Sequence, residues 1–314
     1  MATYTAHTAI GQREDLTDVI YDISPTETPF MSSIGKTKAT AVYHEWQTDT
    51  LAAATTANAA VEGADASDAT LSPTVRLGNY TQILQKTIKV SGTLDTVNKA
   101  GRKSEKAYQL AKASQEIKRD LETILLSNQG RSAGDGSNAR KMGSLLSWIK
   151  TNSSAQTNGG DPTTIGVSTR TDGNTRTFTE ALLKEVVAEV FVSGGSPKVL
   201  MVGATGKQKV SSFTGIAETR FNVTGAAPST IIGAADIYVS DFGNMSVVPN
   251  RFMRTRDALI LDPEYAAIAY LRPFQTNELA KAGDADKTQI LVECTLEVKN
   301  EAAHGIVADL NMAL

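Results

Sequence analysis

Between Arg102 and Ser127 the stretch "RKSEKAYQLAKASQEIKRDLETILLS" repeats apolar residues at steps of three and four: Leu110, Ala113, Ile117, Leu121 and Ile124. That spacing gathers one narrow stripe on a helix of up to about 39 Å. A helix so long with so thin a stripe must lie across a sheet or against a neighbouring molecule. Lys112–Glu116 and Lys118–Glu122 stand four apart on its wetter side, where they read as surface ion pairs. Glycines at 130, 134 and 136 end the period.

The strands that such a helix needs flank it in the chain. Thr40–Leu51 and Thr74–Gly92 both read as extended. In the second, Tyr80, Gln82, Leu84, Lys86, Ile88 and Val90 point one way, and Thr81, Ile83, Gln85, Thr87 and Lys89 the other. Neither face is purely apolar, so the pair is expected as a ribbon outside the core. Between them "AAATTANAAVEGADASDATLSP" carries Glu62, Asp65 and Asp68 and no basic residue. It is long for a hairpin tip. Two strands with a polar end describe a projecting arm, which is marginal alone and should rest on something outside its own domain.

Upstream lies a second arm. In "ISPTETPFMSSI" (Ile23–Ile34), Pro25 and Pro29 oppose helix propagation, while Ile23, Phe30, Met31 and Ile34 call for an apolar surface. "EDLTDVIYDI" (Glu14–Ile23) allows only an amphipathic turn or two.

Downstream, residues 151–176 read as an exposed Gly/Thr/Asn loop. Thr177 and Glu180 match a capping box that opens a helix through Phe191, with Leu182, Leu183, Val186, Val187 and Val190 inward. A buried strand at Pro197–Gly203 and a short helix after it follow, then a hairpin over Asp236–Asn250 about Gly243. Two strands over Asp257–Phe274 break at Asp262-Pro263. The last long strand, Gln289–Asn300, alternates Ile290, Val292, Cys294, Leu296 and Val298 with Leu291, Glu293, Thr295, Glu297 and Lys299, so one core face and one mostly wet face are expected. Ala302–Leu310 reads as a short extension or a returning strand.

Charge is segregated along the chain. Residues 1–75 carry three basic and ten acidic groups, residues 76–150 fourteen and six, and the remainder fourteen and eighteen. Adjacent blocks of opposite sign suit attraction within a chain or between copies, or are simply solvated faces. The basic block has few interleaved aromatics, so it is not a nucleic-acid footprint. No run is long enough to cross a bilayer, and the N-terminus lacks the apolar core of a signal peptide, so synthesis in a cytoplasm is expected.

The chain offers no site for chemistry. Gly203-Ala-Thr-Gly-Lys207 has the wrong spacing for a phosphate loop, with Gln208 where Ser or Thr should stand. His7, His44 and His304 lack metal-ligand spacing, and the single Cys294 faces the apolar side of its strand. No cofactor and no catalytic residue is expected.

The arm "DVIYDISPTETPFMSSIG" (Asp18–Gly35), "VYHEW" (Val42–Trp46) and "VSGTLDTVNKAGRKSEKAYQLAK" (Val90–Lys112) resemble one family. So do "VSDFGNMSVVPNRFMRTRDALILDPEYAAIAYLRPF" (Val239–Phe274) and "LEVKNEAAHGIVADL" (Leu296–Leu310). It is the major capsid (head) proteins of tailed bacteriophages typified by phage SU10, which adopt the α+β HK97-like fold. The resemblance implies an N-terminal arm at 1–38, an extended E-loop at 39–90, and a P-domain at 91–150 with a spine helix at 102–127. It further implies an A-domain at 151–282, whose helix 177–193 could pack with the P-domain, and P-domain return strands at 283–314. Pentamers and hexamers would close an icosahedral shell in the virion, assembled in the host cytoplasm. Its partners would be a scaffold protein, a portal protein, a decoration or cement protein, and packaged double-stranded DNA contacted non-specifically, with no membrane.

On this reading Ile23, Pro25, Pro29, Phe30 and Ile34 form an intersubunit arm, extended by its prolines along a neighbour; the alternative is that these residues patch their own subunit. Trp46, Glu62, Asp65, Asp68, Arg76 and Lys86 belong to the E-loop, whose acidic tip would meet a basic surface such as Arg102, Lys103 and Lys106 on another copy. An encapsulin-like compartment shares the fold and would differ by its protein cargo. An enzyme with an unrecognised site and a binding module displayed on a particle are the remaining readings.

Overall fold

The computed structural model describes residues 26–63, 65, 68–97, 101, 103–213 and 236–312. His7, Ile23, Pro25 and Arg102 lie outside these. Two sheets share the interior. The first has four strands in the order β1 (Gly35–Lys38), β11 (Ala266–Leu279), β12 (Ala285–Val298), β4 (Gln82–Ser91). The expected long helix is α3 (Glu105–Leu125), about 30 Å long. Ser104 caps it, its hydroxyl accepting from the N–H of Ala107 at 3.2 Å. Ala113, Ile117 and Leu121 are buried on the stripe, with Leu110 and Ile124 partly buried at its margin, in one cluster with Ile268, Ile290, Val292 and Leu296.

The alternation expected in β4 is present, with Gln82, Leu84, Lys86, Ile88 and Val90 on the more covered side. The single strand expected over residues 74–92 is two. β3 (Val75–Tyr80) pairs with β2 (Tyr43–Thr48), whereas β4 pairs with β12 over ten residues. The change of sheet falls at Thr81, whose hydroxyl donates to Glu293 at 2.9 Å. The wet face expected on β12 is covered instead: Glu293, Thr295 and Glu297 are buried along with Cys294 and Leu296. Charge does not exclude these acids from the interior because each carboxylate is met by donors, as described below.

The second sheet has six strands in the order β5 (Ser153–Ser154), β13 (Gly305–Val307), β10 (Ala258–Leu261), β7 (Val199–Val202), β9 (Gly243–Pro249), β8 (Ile237–Ser240). The hairpin about Gly243 and the break at Asp262-Pro263 are both present, the latter a 3-10 turn over Pro263–Tyr265. Helix α5 (Glu180–Val192) buries Leu183, Val186, Val187 and Val190, and Leu182 is partly buried. Gly305 permits this packing, since Val186 Cγ1 would lie 2.5 Å from a Cβ there. Helix α6 (Ala204–Ser211) follows β7.

Several expectations are corrected. Thr177 is not the cap of α5; that position is Thr179, and Thr177 is held in β6 (Arg176–Thr177), paired with β14 (Leu310–Asn311). Residues 151–176 are not wholly exposed. Asn152 is buried and donates to the carbonyls of Ala302 (2.7 Å) and His304 (3.1 Å), and buried Arg170 donates to that of Ile149 (3.1 Å). A polar loop here satisfies backbone groups that the short edge strands leave unpaired. "PFMSS" is helical, forming α1 (Pro29–Ser33), because proline at the first helical position sacrifices no intrahelical bond. Strand pairing also crosses the expected domain limits: β11 joins the four-stranded sheet, while β13 lies in the six-stranded one.

Candidate functional site

What projects from this body is the ribbon β2–β3 and the chain that joins its strands. Tyr43 faces Tyr80 and Trp46 faces Leu77, and Arg76 bridges to Glu45 at 2.9 Å. Residues 49–74 beyond the ribbon form no strand or helix among the described residues. Glu62, Asp65 and Asp68 are exposed there, and so are Leu51, Val61 and Leu71.

The base of the ribbon is fastened to its own chain. Trp46 packs on Trp148 with ring centroids 5.3 Å apart and joins the main core. Buried Asn79 accepts from Gly143 N–H at 2.8 Å and donates to the carbonyls of Gly143 (3.1 Å) and Leu296 (2.8 Å). Arg131 donates to Gly78 O and lies over the ring of Tyr43. The ribbon therefore rests on its own subunit at its base, while its far end is bare.

Three buried carboxylates join distant segments, two of them at this base. Glu293 on β12 accepts from Arg140 Nη2 (2.7 Å), Arg272 Nε (2.7 Å) and the Thr81 hydroxyl. Glu297 accepts from the Thr37 hydroxyl at 2.8 Å and lies 3.3 Å from His44 Nε2. Glu122, fully buried on α3, accepts the N–H groups of Phe30 (2.7 Å) and Met31 (2.9 Å) and the Asn250 side-chain amide (2.7 Å). Burial pushes its carboxyl pKa up, and those three donors oppose the shift. Glu122 was expected on the wet side paired with Lys118. It is inside because α1 brings two unsatisfied N–H groups against it.

Phe30 and Ile34 were expected on a neighbouring subunit. They are buried in this subunit's core, Phe30 at 1% exposure, so at these positions the arm patches its own fold. The basic block is also partly engaged internally. Lys86 bridges to Glu116 (3.0 Å) and Asp120 (3.2 Å), fastening β4 to α3 where a Lys112–Glu116 pair was expected. Lys106 meets Glu278 at 2.8 Å, and Lys103 is exposed. Sequence reasoning missed the buried acids. Their signal was the apolar setting of each: Glu122 between Leu121 and Ile124, Glu293 and Glu297 within a strand of apolar residues.

Among the described residues, no group of three or more His, Cys, Asp or Glu could hold a metal ion, and no helix is long and apolar enough to cross a membrane. Lys207, in the glycine-rich turn, is occupied by Asp236 (2.8 Å) and Val247 O (2.9 Å). Burial pushes the Cys294 thiol up to about 12, which leaves it protonated and inert.

A family model described as SU10 major capsid protein matches residues 2–311. The chain is 29% identical over 337 aligned positions to the major capsid protein of Escherichia phage Phieco32, covering 95% of this chain and 94% of that one. Among solved structures it resembles the capsid of cyanophage A-1(L), with a TM-score of 0.67 at 11% identity and 98% of each chain covered. An encapsulin of Synechococcus elongatus gives a TM-score of 0.57 at 11% identity, covering 100% of this chain and 98% of that one.

Proposed function

The chain belongs to the SU10 major capsid protein family, so it is a structural, non-enzymatic protein of a tailed-phage capsid with the HK97-like fold, and from that premise we propose how it builds the shell. Copies associate as pentamers and hexamers that close an icosahedral head around double-stranded DNA. The four-stranded sheet with α3 serves as the P-domain, the six-stranded sheet as the A-domain, and residues 49–74 on their ribbon as the E-loop. Residues 26–34 are a fixed part of the P-domain, and the E-loop tip is the contact made between copies. Scaffold, portal and decoration proteins complete the head.

The observation that carries this reading is the contrast along one element: a ribbon base locked by Trp46 and Asn79, and a tip with acidic and apolar side chains exposed together. The encapsulin likeness favours a compartment as the second reading, but it rests on fold alone. Electron microscopy and sedimentation of the chain co-expressed with its phage's scaffold test the proposal. Closed particles with five- and six-fold capsomers are expected. A protein that stays monomeric at high concentration would overturn it. Particles from infected cells holding protein cargo and no nuclease-protected DNA would favour the compartment.

A further inference from the structure

Beside α1 lies a groove of about 530 Å³, within the size range of small-ligand pockets. Met31, Ile34, Tyr270 and Phe274 give it apolar walls, and Lys36 and Lys118 are the only charged residues among the described ones that line it. Both lysines are exposed, and neither forms an ion pair among the described residues. The acid one turn after Lys118 is Glu122, which is turned inward onto Phe30, Met31 and Asn250. Two cations without a carboxylate therefore border an apolar depression.

The groove opens on a bare sheet edge. β1 pairs with β11 only as far as Tyr270, and the N–H of Ala39 closes the row on the Tyr270 carbonyl at 3.0 Å. From Leu271 to Leu279, β11 has β12 on one side and no described strand on the other. Phe274 stands on that stretch. An edge of this kind accepts an extended segment.

We propose that the E-loop tip of a second copy docks here, an inference that rests on the shell reading above. The tip carries what the groove lacks. Residues 49–74 hold Asp49, Glu62, Asp65 and Asp68 and no Lys or Arg. Val61, 78% exposed, stands beside Glu62, and Gly63 at φ +82° turns the chain just after it. Val61 fills the apolar depression, while Glu62 and the two aspartates that follow face Lys36 and Lys118. The described residues on either side of the tip form no strand or helix of their own, so their backbone can lie along the edge of β11. None of the described tip residues lines the groove of its own chain.

The test uses full-length chains assembled with their scaffold. In a Val61→Cys/Ser32→Cys variant, mild oxidation of the particles should join thiols of different chains, because Ser32 lines the groove and a disulfide needs Cα atoms within about 7 Å. Non-reducing electrophoresis should then show dimers and larger species, absent from each single-cysteine variant. Charge reversal gives a second readout without engineered thiols. Lys36→Glu/Lys118→Glu alone, or Glu62→Lys/Asp65→Lys/Asp68→Lys alone, should lower the yield of closed particles at least tenfold. The two sets combined should bring it back to within about threefold of the parent. Closed particles whose thiols stay free or join at monomer mass, or reversals that fail to rescue each other, would overturn the docking and leave the shell reading intact. A parent chain that forms no closed particles would overturn both.

Discussion

The carboxylate of Glu122 accepts the backbone N–H of Phe30 at 2.7 Å, so the long helix supplies the cap that α1 lacks in its own sequence. A Glu122→Ala change leaves two backbone N–H groups and the Asn250 amide without their acceptor. The expected loss is about 3 kcal/mol, and Glu122→Gln, which keeps one oxygen, should lose less. Denaturant unfolding of both variants checks the order. Equal midpoints for Ala and Gln would show that the acceptor does not matter.

On the same helix, Ile117 and Leu121 are buried against the four-stranded sheet. Truncating either to alanine should cost about 2–5 kcal/mol. Ala113→Gly removes little volume but adds backbone freedom, at a cost of about 1 kcal/mol. Thermal melts should place both large truncations well below Ala113→Gly.

His304 is fully buried, and its Nδ1 accepts the Asp262 N–H at 3.3 Å. Burial lowers its pKa to about 4 from the usual 6.5, so the unfolded chain takes up a proton first as pH falls. The fold therefore loses stability between about pH 6.5 and 4, on the order of 3 kcal/mol from this group. Asp257 acts in the opposite sense. Burial raises its pKa to about 6, so the folded chain takes up that proton first and gains stability as pH falls from there toward 4. His304→Gln should flatten the decline of melting temperature across this range, and Asp257→Asn should steepen it.

At the ribbon tip, replacing Glu62, Asp65 and Asp68 with their amides should leave the unassembled chain's melting temperature within a degree or two of the parent. The three side chains are exposed in it. Particles should become less stable, and less sensitive to salt, than those of the parent. Light scattering during a salt titration measures both.

The elements that were legible in the sequence are those whose burial follows a period. The stripe of α3, the alternation of β4, the α5 face and the hairpin about Gly243 needed only neighbours in the chain. The misread positions depend on partners far away. Nothing near Glu122 in sequence announces Phe30, 92 residues off. β12 looked half wet because Arg140 and Arg272, which neutralise Glu293, and Thr37, which donates to Glu297, come from three other segments. The base of the ribbon was hidden for the same reason, since Trp46 and Trp148 meet only in the fold.

Sheet order β1-β11-β12-β4 has a temporal side. The strand that closes β4 into the sheet is β12, residues 285–298, made long after residue 91 has left the ribosome. At ordinary synthesis rates roughly 10–40 s separate the two. Throughout that interval β4 has no strand beside it, and Glu293 and Glu297 do not yet exist to hold Thr81 and His44. A nascent or prematurely terminated chain thus lacks a finished sheet, and translation itself keeps incomplete copies from passing as building blocks.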